Sequence, residues 1–147
     1  MNSIEISGFF WETLKCSALK MEAENGDREG HRHLISITDI STENVLSLLK
    51  SAMHCKTIVQ EHGGCSALKH RVLALAFFEP STRTSSSFNA AMLRLGGSVV
   101  VYDDTKGASN KGESFNDTIK TLGCYCDVLC IRHPLRGSAE TAAQASP

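Results

Sequence analysis

Three short apolar runs separated by helical patterns constrain this chain more than any other feature. RVLALAFF (71–78), SVVVY (98–102) and DVLCI (127–131) are near-continuous in apolar residues. That is the mark of strands buried on both faces. Between the first two, Ser81 to Leu95 carries Phe88, Ala91, Met92 and Leu95 on one helical face, and Gly96 and Gly97 close it. Between the second and third, Ser114 opens a short helix with Asp117 three residues on and Phe115, Ile119 and Leu122 at helical spacing. Ser138 to Ala145 is alanine-rich and reads as a last helix. Strands alternating with helices specify an α/β fold, a parallel sheet with helices on both faces.

Upstream the pattern is looser. His33 to Ile37 is a short β-rich run, and Ser41 is placed to cap a helix reaching about Glu61. Val45, Leu48, Leu49, Ala52 and Met53 make its expected apolar face, with Ser47, Lys50, Ser51 and His54 opposite. Gly63 and Gly64 stop it. The polar stretch NGDREG (25–30) reads as a linker. It divides an unassigned leader, 1–30, from a domain over 31–147.

A chain of 147 residues sustains one core and hardly two. Its net charge is −1, which gives no global field for nucleic acid or an anionic membrane. The leader is acidic, with six acids against three bases, and lacks the basic start of a targeting signal. No stretch approaches the ~18 apolar residues of a membrane span. The six cysteines (16, 55, 65, 124, 126, 130) therefore read as reduced thiols of a cytoplasmic protein. Cys124, Cys126 and Cys130 have no second paired half and read as small buried hydrophobes, so no metal is expected.

In an open α/β sheet, ligands bind beyond the carboxyl ends of the strands. Three segments emerge there, 79–84, 103–113 and 132–137, and each carries cations: Arg83, then Lys106 and Lys111, then Arg132 and Arg136. Cations gathered on one edge of a nearly neutral chain suit a compact anion. Ser81-Thr82-Arg83-Thr84 enters a helix whose first N–H groups lack intrahelical partners, which suits a phosphate. Lys111-Gly112 offers a mobile point charge on a flexible joint. Each motif also has an ordinary structural reading: a capped helix, a solvated loop, and a strand-ending turn at Arg132-His133-Pro134.

Taken together, FFEPSTRTSSSFNAAMLRLGG (77–97), KGESFNDTIKTL (111–122), Tyr125, Asp127 and RHP (132–134) resemble the carbamoyl phosphate-binding half of the aspartate transcarbamoylase family. The resemblance runs from about His31 to the C-terminus. SSSF after STRT is similar to the eukaryotic forms, in particular the domain of the animal multifunctional pyrimidine protein. The resemblance implies that Ser81, Thr82, Arg83 and Thr84 bind the phosphate, with Arg83 and Thr84 near the carbonyl oxygen. Arg132 would contact phosphate and carbonyl, and Lys111 would reach a neighbouring subunit's site in a homotrimer. It implies transfer of the carbamoyl group to L-aspartate, giving N-carbamoyl-L-aspartate for pyrimidine biosynthesis, without metal or organic cofactor.

Two departures are visible. The family's loop serine precedes the lysine by three or four residues, where this chain has Ala108 and Gly107, with Ser109 two before. The family's HPTQ-type segment and aspartate-binding domain find no counterpart before Pro147, so half of a transcarbamoylase is expected. Rival readings are ornithine transcarbamoylase, which shares this domain, and a non-catalytic anion-binding module.

Overall fold

The computed structural model describes residues 6–7, 33–103 and 113–146. Strand β1 (Ile6–Ser7) pairs antiparallel with β2 (His33–Leu34). A 3-10 turn, Ile37–Asp39, follows, and then helix α1 (Thr42–His62). The main unit is β3 (Val72–Phe77), α2 (Thr82–Arg94), β4 (Ser98–Asp103), α3 (Phe115–Gly123), β5 (Val128–Arg132) and α4 (Ser138–Ala145).

The three long strands form a parallel sheet in the order β4-β3-β5. The chain thus steps from β3 to one side, then crosses back over β3 to the other. Right-handed crossovers running in opposite directions must place α2 and α3 on opposite faces. The core obeys. Leu73, Leu75 and Cys130 pack with Met92 and Leu68 on the α2 face. Ala74, Ala76, Leu129 and Ile131 pack with Ile119, Leu122 and Ala142 on the other. Strand alternation, with side chains pointing to opposite faces in turn, produces both layers from one sequence.

Register matters most at the carboxyl edge. Phe77 pairs with Asp103 on one side and with Arg132 on the other, so these three residues form the last row of the sheet. Glu79 and Ser81 follow Phe77 by two and four residues and leave that row directly.

The amino edge is held by Asp127. One of its carboxylate oxygens accepts from the Val72 N–H at 2.8 Å and the other from Arg71 Nη1 at 2.8 Å. Its own N–H donates to the Val72 carbonyl at 2.9 Å. Asp127 thereby starts β5 in register with β3.

Three expectations change. SVVVY (98–102), expected as a strand buried on both faces, is the edge strand of the three, with Val100 and Val101 39% and 56% exposed, because among the described residues only β3 pairs with it. The run from His33 to Ile37 is a strand only at His33–Leu34, because Ser36 caps the 3-10 turn in a box with Asp39 and bends the chain out of extension. In α1, Leu49 and Met53 are 58% and 65% exposed rather than inward. The half-buried stripe is Val45, Leu48, Ser51, His54, Cys55, Ile58 and Val59, so Ser51 and His54, expected outside, lie on it with His54 Nε2 buried, while Ala52, expected inside, is exposed. No residue of α1 is fully buried, so the helix presents a half-buried stripe rather than a core face. The expected linker, 25–30, lies outside the described residues.

Asp127→Ala is expected to lower stability by about 1–3 kcal/mol, because it leaves the Val72 N–H without its carboxylate. Arg71→Ala should cost less than about 1 kcal/mol, since its side chain is 43% exposed and water screens the pair. Urea unfolding of both variants checks the order.

Candidate functional site at the carboxyl edge of the sheet

Ser81 occupies the N-cap position of α2, yet its hydroxyl makes no cap to its own helix. It accepts instead from Arg132 Nη1 at 2.9 Å. A serine at an N-cap ordinarily bonds the N–H of the second or third helical residue. Here that work is left undone, so the first-turn amides of Thr82, Arg83 and Thr84 have no hydroxyl cap and retain their affinity for an anion.

Arg132 is half-buried at the end of β5. Its Nε donates to Glu79 Oε1 at 2.5 Å while Nη1 holds Ser81. The guanidinium is therefore fixed between the loop after β3 and the end of β5, with Glu79 balancing its charge. A planar fork of N–H groups suits a carboxylate or a phosphate equally.

Behind Arg132 lies an aromatic cluster. Phe78 and Phe115 have ring centroids 5.2 Å apart, and the His133 ring sits 4.9 Å from each. Tyr102 joins through Phe78 at 5.2 Å. These four residues come from the ends of β3, β4 and β5 and the start of α3. Their centroid spacing is that of favourable aromatic packing, with Phe115 edge-on to Phe78 and to His133 and the other contacts tilted.

The structure thus brings together Ser81 and Arg132 among the candidate residues. Thr82 and Arg83 are exposed in the first turn of α2, and Thr84 is half-buried there. Arg136 is exposed in the turn after β5. Lys106, Ser109 and Lys111 lie outside the described residues. At the edge of that segment, Ser114 accepts from the Asp117 N–H at 3.2 Å and caps α3, as its spacing predicts. Glu79 and the aromatic cluster were not singled out from sequence. Glu79 lies inside FFEPSTRT, but no spacing rule links it to an arginine 53 positions away.

Among the described residues, no group of three or more His, Cys, Asp and Glu side chains could hold a metal ion. No helix among them is long and apolar enough to cross a membrane. The described cysteines are free thiols. Cys130 is buried as expected, but Cys124 is exposed, because it follows the end of α3 instead of entering the strand. Burial pushes the Cys126 thiol up; backbone hydrogen bonds oppose this, and the Asp127 carboxylate adds to it. Cys55 is raised by burial and then by neighbouring Cys65.

Residues 32–147 match the family model described as aspartate/ornithine carbamoyltransferase, carbamoyl-P binding domain. A multifunctional protein of Dictyostelium discoideum is 46% identical over 115 residues, which is 78% of this chain and 5% of that one. The aspartate carbamoyltransferase catalytic subunit of Methanococcus maripaludis is 46% identical over 116 residues, 78% of this chain and 38% of the subunit. Among solved structures, Trypanosoma cruzi aspartate transcarbamoylase in complex with carbamoyl aspartate and phosphate superposes with a TM-score of 0.74 at 38% identity. That match covers 77% of this chain and 36% of the other. The chain therefore spans well under half the length of these relatives.

A raised thiol pKa lowers the thiolate fraction at a given pH, and the thiolate is the reactive form. At pH 8, iodoacetamide is expected to modify exposed Cys124 well before Cys126 and Cys55. The last two should accelerate only as pH passes the ordinary thiol range. Peptide mass spectrometry over time reads the order, and equal rates at pH 8 would contradict it.

Proposed function

Because this chain belongs to the aspartate/ornithine carbamoyltransferase family through its carbamoyl phosphate-binding domain, we propose that it supplies the carbamoyl phosphate site of an aspartate carbamoyltransferase. The observation that carries this reading is the Arg132–Ser81 bond at a helix N-terminus without its hydroxyl cap. Aspartate rather than ornithine is favoured by SSSF after STRT and by the names of the similar proteins.

In this reading the phosphate sits at the start of α2. The hydroxyls of Ser81, Thr82 and Thr84, the first-turn amides and the Arg83 guanidinium surround it. Arg132 gives up Glu79, contacts a phosphate oxygen and reaches the carbonyl oxygen. The aspartate amine attacks the carbonyl carbon, and a tetrahedral oxyanion forms. The carbonyl then re-forms as the bond from carbon to the phosphate oxygen breaks, and the departing phosphate takes the electron pair and the proton that the amine gives up. Donors aimed at the oxyanion and the departing phosphate are typically worth ~2.7–4 kcal/mol each.

Lys111 would add its charge to a neighbouring subunit's site in a homotrimer. The domain over 31–147 would hold carbamoyl phosphate, with 1–30 a leader or linker whose Ile6–Ser7 pairs with His33–Leu34. Catalysis also needs the amine held in near-attack geometry. None of the residues named above is assigned to aspartate, and the groups that hold it would belong to the family's other domain. The setting proposed is the cytoplasm, in pyrimidine biosynthesis.

Titration calorimetry with carbamoyl phosphate tests the reading. Arg132→Ala and Arg83→Ala are each expected to weaken binding about tenfold or more, since a charge-assisted hydrogen bond contributes roughly 1.5–3 kcal/mol. Arg136→Ala should change it less than about threefold, as expected of a solvated surface charge. Equal losses for all three would refute the placement.

A further inference from the structure

His133 follows Arg132, the last residue of β5, whose carbonyl accepts from the Phe78 N–H at 2.8 Å. Alternation along β5 decides what each can touch. Leu129 and Ile131 face α3 and α4, and Cys130 faces α2. Arg132 therefore points to the α2 side, toward Ser81 and Glu79, and His133 to the α3 side. The contacts agree: Arg132 meets Ser81 and Glu79, and His133 meets Phe78 and Phe115. Two residues on opposite faces of one strand end cannot roll independently.

The His133 ring is fastened at two places. Its faces and edges lie between Phe78 and Phe115, with interplanar angles of 55° and 66°. The Leu135 N–H donates to Nδ1 at 3.1 Å, and Ser138 Oγ lies 2.8 Å from the same nitrogen. Ser138 Oγ also reaches the Leu135 carbonyl at 2.9 Å. An amide N–H only donates, so Nδ1 is an acceptor and the ring proton resides on Nε2. The turn from Pro134 to Ser138 is thereby wrapped on the ring, and the ring is wedged against the end of β3 and the start of α3.

We propose that His133 is a positioning residue for the anion site: its wedged ring fixes the roll of the β5 end, and so aims the Arg132 guanidinium at Ser81 and Glu79. The ring's packing does the aiming, and the Nδ1 acceptor holds the turn. These two parts separate experimentally. His133→Ala removes both, and His133→Phe keeps the ring but lacks the acceptor.

The test uses the full chain, labelled with 15N. In the wild-type protein the Arg132 Nε–H, bonded to Glu79, should give a resolved signal in slow exchange with water. In His133→Ala that signal is expected to broaden into exchange while the β3 backbone amides stay protected. In His133→Phe it should persist, with only the Leu135 amide exchanging faster. Phe115→Leu removes the other wall of the wedge and should reproduce the alanine result, which covers the case of a poorly folded His133→Ala. An Arg132 signal unchanged in His133→Ala, or lost equally in His133→Phe, would overturn the proposal.

A second arm rests on the phosphate-binding reading above. Titration with inorganic phosphate should show about a tenfold loss for His133→Ala and near-wild-type affinity for His133→Phe, the change expected when one charge-assisted bond is misaimed. If the Nε–H pattern holds and wild-type protein ignores phosphate, the aiming role stands and the binding reading falls.

Discussion

Everything at the carboxyl edge depends on β3 pairing in parallel with both neighbours. Its register puts Phe77, Asp103 and Arg132 in one row, and the loop that follows can then reach Arg132 with Glu79 and Ser81. A slip of one residue in either ladder would turn every side chain of that strand to the other face. Arg132 would then point away from α2 and the site would not exist. Asp127 protects the register at the far end, where it binds the backbone of Val72 from both sides.

The site itself is built from an unmet helix end. In α1 and α3 the N-cap serines, Ser41 and Ser114, bond their own helices. Ser81 occupies the equivalent place in α2 and is turned to Arg132. A cap of this kind contributes about 1 kcal/mol to a helix. Its diversion is a small local sacrifice of stability at a place where an anion can restore it. Glu79 has the complementary part, since it neutralises a half-buried guanidinium. Removing a charge from one member of such a pair leaves the other poorly solvated, which keeps the two residues interdependent.

Membership in the carbamoyltransferase family explains why these features occur together, and the share of length sets its reach. The chain spans 38% of the archaeal catalytic subunit and 5% of the multifunctional protein it matches. The family model that residues 32–147 match is that of the carbamoyl-P binding domain.

Periodicity in the sequence determined the strands and helices of the main unit, because each element there buries a face and its apolar spacing records that burial. β3 and β5, the caps Ser41 and Ser114 and the two-sided core were legible for this reason, whereas β4 was legible as a strand but not as a half-exposed edge. The candidate hydroxyls and arginines were legible from local order, since a helix N-terminus is a local feature. Which stripe of α1 faces inward was not, because no residue of that helix is buried deeply enough to leave a clear signature. Nor was the pairing of Arg132 with Glu79 and Ser81, or the wedge of His133 between Phe78 and Phe115. Those contacts join residues 18 to 55 positions apart, and only the register of the folded sheet sets their distance.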